Sequence, residues 1–240
     1  MVREDWAQRG TAMAAQSAVI RDWIGEAPYL FAVTDVKKFN RDGRSADLET
    51  AQYIAPEAST RRVFNITELE NLQHDDKVID HAVVILHPYG ERDLEALGSA
   101  VKHESLGKVF VMLWSPRDTV RSWLDGLGAV NLHTGQALSS PDSVMVEAGR
   151  SMVDEEYNGL SSGNGKDAVV QLVRAFTAAG YPLDQDAWLR AYYAAGGTFR
   201  HGEQVAKLIG EMKKGTKHRV TQRYRDNIVE ILRDRVAAKG

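Results

Sequence analysis

Two continuous apolar runs, Ala82–Leu86 and Val109–Trp114, interrupt a chain otherwise patterned mainly at helical spacing. Runs of this length, rich in Val, Ile and Leu, suit strands buried on both faces of a parallel sheet. The segment between them carries helical spacing and is long enough for a crossover helix. Residues 79–116 therefore predict a β-α-β unit. His87-Pro88-Tyr89-Gly90 ends the first strand, at the edge where such sheets place their ligands.

The first half of the chain continues this alternation. Ala14, Ala18, Ile20, Trp23 and Ile24 predict a helix within 3–25, closed by Gly25. Residues 28–36 read as a strand, 37–45 as a polar loop, 47–54 as a short helix and 62–66 as a second strand. Thr67 and Glu70 have capping-box spacing for a helix into the 70s. Beyond the second apolar run, Ser115 is placed to cap a helix opened by Pro116 and running to Leu124. Residues 129–132 read as a last strand. Strands alternating with helices predict a Rossmann-like α/β domain over residues 1–138, a mostly parallel sheet with helices on both faces.

From Ser139 the pattern changes. Helical spacing covers 142–157, 166–179, 186–195, 202–213 and 224–237, with glycine-bearing connectors between these segments. The expectation is an all-α C-terminal domain over residues 139–240.

Composition adds limits. The chain has 240 residues, 43% hydrophobic and 26% charged, ordinary values for a globular protein. It contains no cysteine, which excludes disulfides, thiolate metal sites and thiol catalysis. No apolar run reaches membrane-spanning length, and MVREDWAQRG lacks a signal core, so a cytoplasmic protein with no membrane partner is expected.

Charge is divided unevenly. Residues 200–240 hold 11 Lys/Arg against 5 Asp/Glu, a net of +6, while the first 199 hold a net of −9. Lys213, Lys214, Lys217, Arg219 and Arg223 concentrate the positive end. Such a cluster suits phosphate contacts to nucleic acid or another polyanion, without base readout; a solvated helical surface would look the same.

Candidate chemistry centres on the edge after 82–86. Glu91 and Glu95 are the acids placed to act as nucleophile or general base. Asp35, His87, Tyr89 and Ser115 are the candidate ligand-binding groups at the strand ends. Gly159-Leu160-Ser161-Ser162-Gly163-Asn164-Gly165-Lys166 is Gly-rich before a helix, but its spacing exceeds a P-loop by one residue. Asp167 follows where Ser or Thr would bind magnesium, so this reads as a connector. The seven histidines form no i, i+4 pair and no HExxH, and no metal is implied. There is no G-x-S-x-G elbow and no G-x-G-x-x-G after the first strand, and no cofactor is implied.

Leu97-Gly98-Ser99-Ala100, followed by Gly107-Lys108 and the strand Val109–Leu113, resembles the central unit of nucleoside deoxyribosyltransferase-like and TIR-like Rossmannoid domains. The resemblance covers residues 82–114, and the family glutamate falls on Ala96, one place from Glu95. It implies a Rossmann-like fold and a nucleotide-like ligand. The leading expectation is a binding or regulatory protein with that ligand at the sheet edge and polyanion contact through the basic helices. The alternatives are an enzyme cleaving an N-glycosidic bond in a nucleoside or NAD-like substrate, and an interaction scaffold with no small ligand.

Overall fold

A computed structural model of the chain describes residues 2–5, 13–41, 45–74, 80–102, 106–115 and 118–239. The chain divides into two compact units, Met1–Leu124 with Gly128–Leu138, and Asp125–Leu127 with Ser139–Gly240.

The first unit is α/β. Its strands are β1 (Val2–Asp5), β2 (Tyr29–Val33), β3 (Val63–Asn65), β4 (Ala82–Ile85), β5 (Lys108–Leu113), β6 (Val130–Asn131) and β7 (Gln136–Ala137). They form one sheet in the order β3-β2-β4-β5-β1-β6-β7. Every pairing is parallel except β6 with β7. The two apolar runs lie side by side, Ala82 opposite Lys108 and Ile85 opposite Val111.

Both sheet faces are covered, as continuous apolar strands require. Phe31, Val33, Val84, Leu86, Phe110 and Met112 form one cluster with Ile20 and Ile24 of α1 (Met13–Ile24) and Ala51 and Ile54 of α3 (Ala46–Ile54). The alternate set, Leu30, Ala32, Val83, Ile85, Val111 and Leu113, is equally buried. Between β4 and β5 runs α5 (Glu91–Lys102), which packs beside α4 (Leu69–His74). Leu97 and Ala100, which carry part of the family resemblance, are fully buried positions of α5.

The N-terminus corrects the helix expected over 3–25. Val2–Asp5 is a strand, held between β5 and β6, and the helix begins at Met13; residues 6–12 lie outside the described residues. The polar stretch after β2 is not all loop. Val36–Arg41 forms α2, because the Asp35 carboxylate accepts from Lys38 N at 2.9 Å and the Asn65 amide oxygen accepts from Val36 N at 3.0 Å.

Two further caps fall elsewhere than the spacing predicted. The turn before α4 opens at Asn65 rather than Thr67: Glu68 accepts from the Asn65 backbone N–H at 2.8 Å. The helix after β5, α6, spans Val120–Gly126 and is not capped by Ser115. Instead Asp118 accepts from the backbone N–H groups of Trp114 and Ser115, both at 2.9 Å. Pro116, expected to open that helix, lies outside the described residues.

The second unit is helical among its described residues: α7 (Ser143–Val153), α8 (Gly163–Ala178), α9 (Gln185–Ala194), α10 (Phe199–Lys213) and α11 (Ile228–Ala237). Asp142 caps α7 through Val144 N and Met145 N, and Asp184 caps α9. Trp188, Tyr192, Tyr193 and Phe176 fill its core. The glycines of the 159–165 connector serve packing and turning. Gly159 and Gly163 have positive φ, and a Cβ on Gly165 would collide with the Gly159 carbonyl. Residues 214–227, expected to be helical from 224, carry no helix. No described helix is long and apolar enough to cross a membrane.

Candidate functional site

Strands β2 and β4 are neighbours whose connections diverge. From β2 the chain passes through α2 and α3 to β3 on one side; from β4 it passes through α5 to β5 on the other. Helices leaving adjacent strand ends in opposite directions open a crevice beyond the carboxyl ends, the preferred ligand position in open α/β sheets.

A cleft of about 320 Å³ lies there. The end of β2 and the turn after it contribute Val33, Thr34 and Asp35; α2 contributes Lys38 and Phe39. Ser45, Ala46 and Asp47 come from the start of α3, His87 and Tyr89 from the loop after β4, and Trp114 from the end of β5. Ser45 caps α3, its hydroxyl accepting from Leu48 N at 3.1 Å, so Asp47 is fixed in the first turn facing the strand ends.

Three rings form a row across the cleft. His87 and Tyr89 have centroids 5.3 Å apart at 40°, and His87 and Trp114 lie 6.1 Å apart at 76°. Edge and tilted contacts of this kind are the favoured aromatic geometries. Tyr89 is 61% exposed, so one face of the row remains open to a ligand. His87 sits at φ 47°, the one non-glycine with positive φ among the described residues. This backbone conformation is costly for a residue bearing a Cβ, and more so before a proline, which favours extended backbone at the residue preceding it.

Charge in the cleft is tuned by burial. Burial raises the Asp47 carboxyl to about 6, opposed by a hydrogen bond with the Trp114 side chain and by the charge of Lys38. Burial lowers His87, opposed by Asp118, whose Oδ2 lies 4.0 Å from Nε2. The result is a histidine biased to its neutral form beside a carboxyl that exchanges its proton near pH 6.

A second cleft of about 340 Å³ adjoins the other side of Thr34 and Asp35, with Lys37, Asn65, Arg92 and Asp93 among its lining residues. Asp93 is buried, and burial raises its carboxyl against the opposing effects of Thr34 and Arg92. Its Oδ2 and the Thr34 hydroxyl each lack a well-formed hydrogen bond.

Comparison with protein-family models, with curated proteins and with solved structures finds no match.

The structure brings Asp35, His87 and Tyr89 to the first cleft. Asp35 also has a structural task there as the cap of α2. Ser115 sits beside Trp114 but lines neither cleft. Glu91 and Glu95 lie on the first turns of α5, and neither lines these clefts. The acids that do are Asp35, Asp47 and Asp93. Asp47 and Trp114 escaped the sequence reading because one looked like a helix-start acid and the other like the end of a core strand. Only the fold brings them together.

In the second unit Lys213, Lys214, Lys217 and Arg219 are exposed. None pairs with a carboxylate among the described residues. Arg223 differs: its guanidinium pairs with Glu155, and its backbone N–H donates to the Gln171 side-chain oxygen at 2.8 Å.

Proposed function

We propose that the protein binds a nucleotide-like small molecule in the cleft beyond β2, β4 and β5. The observation that carries this reading is the juxtaposition of the His87-Tyr89-Trp114 ring row with Asp47 and Lys38 at the topological switch point. A planar base would stack on the exposed ring of Tyr89. Sugar hydroxyls or an exocyclic amino group would donate to Asp47, and Lys38 would meet an anionic group.

Calorimetric titration with adenosine, AMP and NAD tests the reading. The expected result is saturable binding to at least one of them, weakened at least about tenfold in Tyr89→Ala, a loss of roughly 1.4 kcal/mol. Tyr89 is exposed, so this variant keeps the core intact. No binding to any of the three, or equal binding by the variant, would overturn it.

The four exposed cations at 213–219 support a polyanion contact through the helical unit as part of the same reading. Binding to single-stranded RNA or DNA is expected to fall steeply as salt rises. A response identical in wild type and a Lys213/Lys214/Lys217 triple-alanine variant would remove that half.

The position of Asp47 in the cleft, with its proton exchange near pH 6, favours a second reading, hydrolysis of an N-glycosidic bond: Asp47 protonates the departing base nitrogen as the C–N bond breaks, and water adds to the anomeric carbon and releases its proton to restore the Asp47 carboxyl. Base release from nucleosides or NAD that disappears in Asp47→Asn is the result expected of it. Absence of release rejects the catalytic reading and leaves the binding one standing.

A further inference from the structure

A separate cavity, broadly open to solvent, lies on the surface of the helical unit, beside a non-helical strap formed by residues 214–227. Asp167, Gln171 and Arg174 are spaced four and three residues apart on α8 and so share one side of it. All three grip the strap's backbone. Asp167 Oδ2 accepts from Thr221 N at 3.0 Å. Gln171 Oε1 accepts from Arg223 N at 2.8 Å and Tyr224 N at 3.1 Å, while its Nε2 donates to the Thr221 carbonyl. Arg174 donates to the His218 carbonyl at 2.8 Å. A segment without helix or strand is thus fixed by one helix's side chains, and the surfaces it presents are preformed.

The cavity beside this clamp measures about 450 Å³. Ala175, Ala178 and Ile228 line it with apolar surface, and Arg174, Tyr224 and Arg225 with polar groups. Its one acid, Asp226, accepts from the Gln222 amide at 3.4 Å. Two guanidiniums thus stand against one carboxylate. Arg225 is exposed and its guanidinium has no carboxylate partner among the described residues. Arg174 has spent one nitrogen on the strap, leaving further N–H donors in its planar fork. A fork of this kind recognises carboxylate, sulfonate and phosphate oxygens in pairs. The volume falls within the range of roughly 300–1,000 Å³ typical of small-molecule sites.

We propose that this cavity binds a small amphipathic anion, an aryl or short alkyl phosphate, sulfonate or carboxylate. The charged end meets Arg225 and Arg174; the apolar body lies on Ala175, Ala178 and Ile228. The site is independent of the cleft in the α/β unit and does not depend on the reading proposed for it.

Amide NMR titration of the full-length protein tests this, with phenyl phosphate as the probe and inorganic phosphate and benzyl alcohol as controls. Phenyl phosphate is expected to give saturable shifts confined to residues 171–178 and 220–228. Its affinity should exceed that of either control at least about tenfold, because only the probe uses both the charge and the apolar floor. Arg225→Gln should weaken it about tenfold, and Ala178→Trp, which fills the cavity from its exposed rim, should abolish it. Both positions are exposed, so unchanged spectra elsewhere will confirm the fold of each variant. Absence of saturable shifts, equal affinity for inorganic phosphate, or unaltered binding by either variant would overturn the proposal.

Discussion

At the residue scale, the cleft holds two side chains in unfavourable states. His87 bears a left-handed backbone that a β-branched residue tolerates poorly. His87→Val should therefore be less stable than His87→Asn by about 1 kcal/mol, since Asn accepts that conformation more readily. Urea unfolding of the pair checks this, and equal stabilities would contradict it. Asp47 titrates near 6 in the folded chain and at 3.8 when unperturbed. Its linkage contribution is full below about 3.8 and is lost as the pH rises through about 6. Asp47→Asn should then gain on wild type between acidic and neutral pH. The gain is on the order of 1 kcal/mol, because the group is only partly buried. A difference that does not change with pH would show that the carboxyl is not held in this state. Neither residue declares itself in the sequence. The positive φ of His87 follows from its loop, and the Asp47 shift needs Trp114 delivered from another strand.

At the element scale, the strands that spacing reveals are those buried on both faces. Ala82–Ile85 and Lys108–Leu113 are apolar because helices cover both sides of the sheet. Val2–Asp5 is hidden for the opposite reason. VRED has one apolar residue, and it is a strand because β5 and β6 supply hydrogen bonds on either side. α2 is likewise made by its surroundings, by Asp35 and by Asn65 of a different strand. The chain just beyond the C-terminal helix, α11, shows the same dependence on partners. Glu147 of α7 is buried and pairs with Arg150 and with Lys239, the latter at 2.8 Å. The Lys239 hydrogen bond, with Arg150, holds the Glu147 carboxyl below its usual 4.5, against the opposing effect of burial. The stabilisation is present above about 4.5 and is lost as the pH falls through the lower folded value. Glu147→Gln should lose roughly 1 kcal/mol at neutral pH, the cations being more than half exposed. That loss should shrink on acidification. A loss that persists unchanged at low pH would assign it to packing instead.

At the scale of the whole molecule, the alternation of strands and helices followed by helices alone was readable from periodicity, since each period reports which faces are buried. The strand order was not readable. No local pattern states that β1 lies between β5 and β6, or that β2 and β4 are neighbours. That order places the crevice, because only adjacent strands with diverging connections open one. The same order brings Asp47 to the cleft beside Trp114, while Glu91 and Glu95, the acids suggested by proximity in sequence, line neither cleft. The basic charge at residues 213–219 belongs to the end of α10 and the strap that follows it, in the helical unit. The proposed polyanion contact can therefore be tested apart from the cleft by varying the lysines alone.

The most direct measurement is an amide NMR titration of the full-length protein with adenosine, AMP and NAD, each in a separate series. Saturable shifts with at least one of the three are expected at 33–39, 45–47, 87, 89, 90 and 114, mapping the ends of β2, β4 and β5. Saturable shifts that spare these residues and fall elsewhere, or no saturable shifts with any of the three, would contradict the proposed binding.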